Sequence, residues 1–141
     1  MSFVTSTVLP AIKNRPKTID ARTHGIIDYC HAALFLTLGF ICLKSNKRAA
    51  AAALSTGSLV LVQSLLTDYP LGVKPVFSFE THGRLDGGFA SVSWLIPQLF
   101  GFSGTVPAII FSSNTLLEGA VVSLTDFSSE HARKEEPEAA A

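Results

Sequence analysis

A 58-residue echo constrains this chain more than any other feature. "THGIIDY" at Thr23–Tyr29 is answered by "THGRLDG" at Thr81–Gly87, so Thr23, His24, Gly25 and Asp28 recur as Thr81, His82, Gly83 and Asp86. The same offset carries Thr67-Asp68-Tyr69 onto Thr125-Asp126-Phe127, Leu66 onto Leu124 and Ala32 onto Ala90. At residue frequencies of about 5% each, so many coincidences at one offset do not arise by chance. The pattern predicts a tandem duplication with units 23–69 and 81–127.

Each unit holds two apolar segments. They run Gly25–Leu43 and Ala49–Leu66 in the first unit, then Leu85–Phe102 and Thr105–Leu124 in the second. At 1.5 Å per residue, each would be roughly 27–30 Å long as a helix, about the thickness of a bilayer core. The segments are apolar nearly all round rather than along one stripe. Ala, Ser, Gly and Thr dilute their Leu and Ile, as expected where membrane helices pack closely. Pro97 and Gln98 interrupt the third. The chain is 48% hydrophobic and 16% charged, against about 25% charged in an average soluble chain. Its charges crowd the two ends. A soluble four-helix bundle is the competing architecture.

"KSNKR" at Lys44–Arg48 and "GFSG" at Gly101–Gly104 read as tight turns, so each unit is a helical hairpin. Pro70 and Pro75 rule out a continuous helix in the connection Asp68–Thr81. The predicted fold is all-α: an integral membrane four-helix bundle of two tandem hairpins, related by a pseudo-two-fold axis along the membrane normal. Residues 1–22 form a polar arm, 23–127 the transmembrane domain and 128–141 a disordered tail that includes His131. The polar N-terminus lacks the features of a signal peptide.

A two-helix repeat gives both hairpins the same orientation. His24 and His82 then open their hairpins, and Asp68 and Asp126 close them, at one face. Asp28 and Asp86 each lie four residues after a histidine, on the same side of the helix. The expectation is therefore a six-residue cluster of His24, Asp28, Asp68, His82, Asp86 and Asp126. Basic residues number eight on that side (Lys13, Arg15, Lys17, Arg22, Lys74, Arg84, Arg133, Lys134) against Lys44, Lys47 and Arg48 on the other. This bias puts the termini in the cytoplasm and the bundle in the inner cell membrane.

Four readings of the cluster stand side by side. As a structural clasp, Thr23 and Thr81 cap their helices, Asp28 and Asp86 complement the helix dipole in the first turn, and Asp68 or Asp126 ties a histidine to the other hairpin. As a metal site, two His and four Asp match in number the ligands of di-metal carboxylate bundles, though His-x-x-x-Asp is not their Glu-x-x-His. As a haem or chlorin site, His24 and His82 clamp the macrocycle from opposite sides, with His31 as another axial ligand. As a proton or cation path, Asp28, Asp86 and Glu118 line the route, because ionisable groups inside membrane helices usually face the interior. Glu118 has no counterpart in the first unit and is expected to pair with Asn114 or Gln63.

Other classes lack support. The 11 basic and 11 acidic residues balance and form no basic patch, so nucleic acid is not an expected partner. There is no Ser-His-Asp order, phosphate loop or CxxC, and a non-enzymatic role is expected. Cys30 and Cys42 would lie roughly 18 Å apart on one helix and cannot pair. They read as buried small apolar residues. The expected partners are the lipid bilayer and other membrane subunits or further copies of the chain.

"HGIIDY", "TDYPLG" and "HGRLD" together resemble small four-helix bacterial membrane proteins with an HGxxDY…DYPLG…HxxxD pattern, over about Thr23–Phe127. The resemblance implies a multi-pass bundle and no particular activity. The two-hairpin plan is similar to that of SPW-repeat membrane proteins, but "SWLIP" does not reproduce their Ser-Pro-Trp signature.

Overall fold

The first helix, α1, spans Ala21–Cys42 and starts from an Asp20 cap, whose Oδ1 accepts from the Thr23 amide at 2.7 Å. The computed structural model that shows this describes residues 17–128. Residues 1–16 of the polar arm and 129–141 of the tail, including His131, lie outside the described residues.

Asn46 caps the second helix, α2 (Lys47–Leu65), by accepting from the Ala49 amide. A short parallel pair follows, β1 (Thr67–Asp68) with β2 (Phe77–Ser78), in the register Thr67 to Phe77. Ser78 then caps α3 (Phe79–Val92) through the Thr81 amide. Thr23 and Thr81 are therefore capped residues rather than caps. Each helix starts earlier than its apolar run, because a small polar acceptor stands three residues ahead of each threonine.

The third apolar segment is not one helix. It divides into α3, a 3-10 turn at Ser93–Leu95 and a short helix α4 (Ile96–Leu99) that begins with Pro97 in its first turn. Proline has no amide hydrogen and its ring clashes with the carbonyl four residues back, so the helix must restart there. Gly101 and Gly104, both at positive φ, turn the chain. Thr105 caps the last helix, α5 (Val106–Leu124).

The fold is thus all-α in character, with four helical segments of which the third is broken. α1 packs along α2, and α3 packs against α5. Phe35, Leu38 and Cys42 of α1, Ala49, Ala50, Ala52 and Ala53 of α2, and Phe102, Ala108 and Phe111 form the main core. Phe35 and Phe111 meet edge to face at 4.7 Å.

Two helices, α1 and α5, are long and apolar enough to cross a membrane. Of the four expected spans, α3 is too short to meet this measure, and α2 falls outside it because Lys47, Arg48, Gln63 and its serines offset the apolar residues. Large apolar side chains stand on the outside, among them Phe40, Ile41, Leu99, Val106, Ile109, Leu116 and Leu117. Cys30 is exposed while Cys42 is buried, so only one of the two cysteines is a core residue.

Backbone bonds bring both described ends of the chain to one end of the bundle. Ile19 pairs in parallel with Thr125, and the Asp126 amide donates to the Ile19 carbonyl. The Ile19–Thr125 and Thr67–Phe77 pairs occupy matching positions, 58 residues apart, with the hairpins exchanged.

Candidate functional site

Four side chains meet at that end. His24 and Asp28 come from α1, His82 and Asp86 from α3, and all four are buried. Each pair lies on one face of its helix at i and i+4. The two Nε2 atoms are 3.2 Å apart. His24 Nε2 lies 3.4 Å from Asp28 Oδ1 and 3.1 Å from Asp86 Oδ2. His82 Nε2 lies 3.1 Å from Asp28 Oδ2 and 2.9 Å from Asp86 Oδ2. One ligand atom from each residue falls within 4.8 Å of all the others.

The far side of each imidazole is held by a threonine from the opposite hairpin. His24 Nδ1 meets Thr125 Oγ1 at 2.9 Å, and His82 Nδ1 meets Thr67 Oγ1 at 2.7 Å. Both hydroxyls are already donors. Thr125 Oγ1 donates to the Val121 carbonyl and Thr67 Oγ1 to the Gln63 carbonyl, each at 2.7 Å. A hydroxyl has one hydrogen, so each imidazole must donate from Nδ1. In the neutral ring, Nε2 then carries a lone pair, and both lone pairs point into the cluster.

The expected roles of Asp68 and Asp126 pass to these threonines. Asp68 is exposed, and Asp126 turns to the Ser128 amide. The segments Thr67–Tyr69 and Thr125–Phe127 run past the cluster in extended form, and successive side chains of an extended chain face opposite ways. Thr67 and Thr125 point inward with the rings two residues on, and the aspartates point out. Tyr69 packs against His82 with ring centroids 5.8 Å apart, and Phe127 against His24 at 5.1 Å. Phe79 packs on both histidines.

Gly25 and Gly83 admit these rings. A Cβ on Gly25 would lie 2.7 Å from Tyr69 Cε2, and one on Gly83 2.6 Å from Phe127 Cδ1. The Tyr69 hydroxyl is buried without a hydrogen-bond partner, and burial pushes its phenol above the usual tyrosine range.

The outer support is not symmetric. Gln63 of α2 donates to Asp86 Oδ1, and Ser64 approaches Asp28 Oδ2 at 3.4 Å while donating to the Val60 carbonyl at 2.9 Å. Asp28 and Asp86 stand two turns inside their helices rather than in the first turn, so dipole compensation does not account for them.

Glu118 does not join the cluster. It pairs with His31, Oε2 to Nδ1 at 3.0 Å, and Asn114 Nδ2 donates to His31 Nε2 at 3.0 Å. Asn114 thus reaches Glu118 only through the imidazole, and Gln63 serves Asp86 instead. The triad borders a cleft of about 220 Å³ lined by Ile26, Ile27, Cys30, Leu34, Leu117 and Val121. Both His31 nitrogens are engaged, which removes the expected axial ligand. For a haem between the other two histidines, two axial metal–nitrogen bonds of about 2 Å would put the Nε2 atoms roughly 4 Å apart, and those of His24 and His82 stand 3.2 Å apart.

Sequence spacing found the two histidines and the two aspartates beside them. It missed Thr67 and Thr125 as partners, although both recur at the same offset, and it missed the His31–Glu118 pair. Comparison with family models, curated proteins and solved structures gives no match to this chain.

Proposed function

We propose that the protein is an integral membrane bundle of two duplicated hairpins, serving as a structural or accessory component of a membrane assembly. Its His/Asp cluster is the clasp that joins the hairpins at one membrane face. The reciprocal exchange of threonine–histidine bonds carries this reading. His24 of the first hairpin is held by Thr125 of the second, and His82 of the second by Thr67 of the first. Each histidine takes its Nδ1 partner from the other hairpin, so both buried imidazoles are fully paired only when the hairpins are docked in one register.

The membrane part of the reading draws on α1 and α5, each long and apolar enough to cross, and on the apolar side chains exposed along them. A monomeric soluble protein rarely leaves so much large apolar surface uncovered. Lipid is the first partner, and other membrane subunits or further copies of the chain are the second. The resemblance to bacterial membrane proteins and the eight-to-three split of basic residues counted along the sequence support an inner-membrane location with the clasp face in the cytoplasm.

The test is membrane extraction followed by thermal unfolding in detergent. The full chain is expected to require detergent, and a His24→Ala/His82→Ala variant to insert but unfold at lower temperature. A chain that stays soluble without detergent removes the membrane assignment. A double variant as heat-stable as the parent removes the clasp.

A further inference from the structure

The clasp has an electrostatic problem at its centre. With both Nδ1 hydrogens given to threonines, two Nε2 lone pairs and two carboxylates converge on one buried point. Lone pairs at such separations repel unless a cation lies among them. A single proton on one Nε2 would leave two carboxylates against one positive charge, a net negative cluster. A single dication cancels the charge of two carboxylates and accepts all four donors, leaving a neutral cluster in apolar surroundings.

The distances set its class. In a tetrahedral site with bonds of about 2.0–2.1 Å, ligand atoms stand roughly 3.3–3.4 Å apart. Five of the six separations among these donors, the His–His and His–Asp ones, span 2.9–3.4 Å, counting either oxygen of Asp28. None is the long diagonal of a square, which disfavours square-planar copper(II). Calcium takes six to eight oxygens at about 2.3–2.6 Å and magnesium keeps an octahedral shell with several waters, so neither matches two imidazoles in a dry tetrahedron. Resting on the clasp reading and naming its ligand, we infer that His24, Asp28, His82 and Asp86 bind one divalent first-row metal ion of the zinc class.

The outer shell is built for that task. Metal-bound imidazole normally donates its other N–H to a protein group that fixes the tautomer, and Thr125 and Thr67 accept in this way. Gln63 holds the second oxygen of Asp86, which orients Oδ2 inward. Four protein ligands, all buried, leave no open coordination position, so the ion holds the hairpins rather than activating a substrate.

The full chain, purified in detergent without chelator, is to be analysed for metal and then loaded with cobalt(II). About one ion per chain and the intense visible bands of tetrahedral cobalt are expected, with a chelator lowering the unfolding temperature. Asp28→Asn and Asp86→Asn keep side-chain size but remove the anionic ligand, and are expected to abolish stoichiometric binding. Asp68→Asn and Asp126→Asn are expected to keep it. A Thr67→Val/Thr125→Val variant should bind about 10–100-fold more weakly, the usual effect of losing outer-shell partners.

Three results overturn the inference: no binding of added zinc or cobalt, a weak octahedral cobalt spectrum, or binding that survives Asp28→Asn and Asp86→Asn. The unmodified protein decides the first two, so a variant that fails to fold does not spare the inference. If the parent binds no metal yet the double histidine variant loses heat stability, the ion falls and the clasp stands. If the parent binds metal but that variant stays as stable as the parent, the clasp falls and the site stands.

Discussion

His24 and His82 aim their Nε2 atoms at each other across 3.2 Å, while each turns Nδ1 to a threonine of the other's hairpin. The pair is thus held from behind by hydroxyls and faces two carboxylates in front.

Replacing Thr67 or Thr125 by Val keeps the shape and removes the hydroxyl. Each change leaves a buried imidazole N–H without an acceptor, at a cost of about 1–3 kcal/mol. Both variants should unfold at lower temperature in detergent. Asp68→Asn, one residue away but exposed, should unfold with the parent.

Gly25→Ala and Gly83→Ala should each destabilise by about 1–3 kcal/mol, because the new methyl overlaps the Tyr69 or Phe127 ring. Gly88→Ala in α3 and Gly119→Ala in α5 meet nothing within 4 Å. These two should be neutral or stabilising by up to about 1 kcal/mol through helix propensity. Thermal unfolding of the four variants side by side checks the contrast.

Glu118→Ala should cost about 1–3 kcal/mol, since it strands the His31 Nδ1–H inside the bundle. Glu118→Gln retains an acceptor oxygen and should recover most of that loss. Equal stability of Glu118→Ala and the parent would show that the His31 pair is not intact in detergent.

Asp20 gives a pH signature. The Thr23 amide that it caps holds its carboxyl below the ordinary aspartate range. A depressed folded pKa means stability present above the unfolded value, about 3.9, and lost as pH falls through the folded value. Asp20→Ala should cost about 1 kcal/mol near neutrality. The gap in unfolding temperature between parent and variant should narrow as the pH is lowered from 5 towards 2.

Much of the site was legible before any coordinates. The shared offset singled out His24 with His82 and Asp28 with Asp86, and helical spacing put each aspartate on the face of its histidine. Polar stretches at Lys44–Arg48 and Gly101–Gly104 marked the hairpin tips, although Lys47 and Arg48 already belong to α2. Helix starts were less legible, since Asp20 and Ser78 precede the apolar runs they cap. The break at Ser93–Leu95 was readable from Pro97 but was masked by the apolar character on both sides of it.

Which residues form equivalent pairs is written in the chain, because helical period and recurrence at one offset need no folded partner. What those pairs touch depends on how the two hairpins dock. An extended segment places alternate residues on opposite faces, so Thr67 and Thr125 entered the site while Asp68 and Asp126 faced away. Which hairpin supplies each threonine depends on docking, and so does the meeting of His31 with Glu118. Contacts between distant segments are set by how the helices pack, and no local pattern records that.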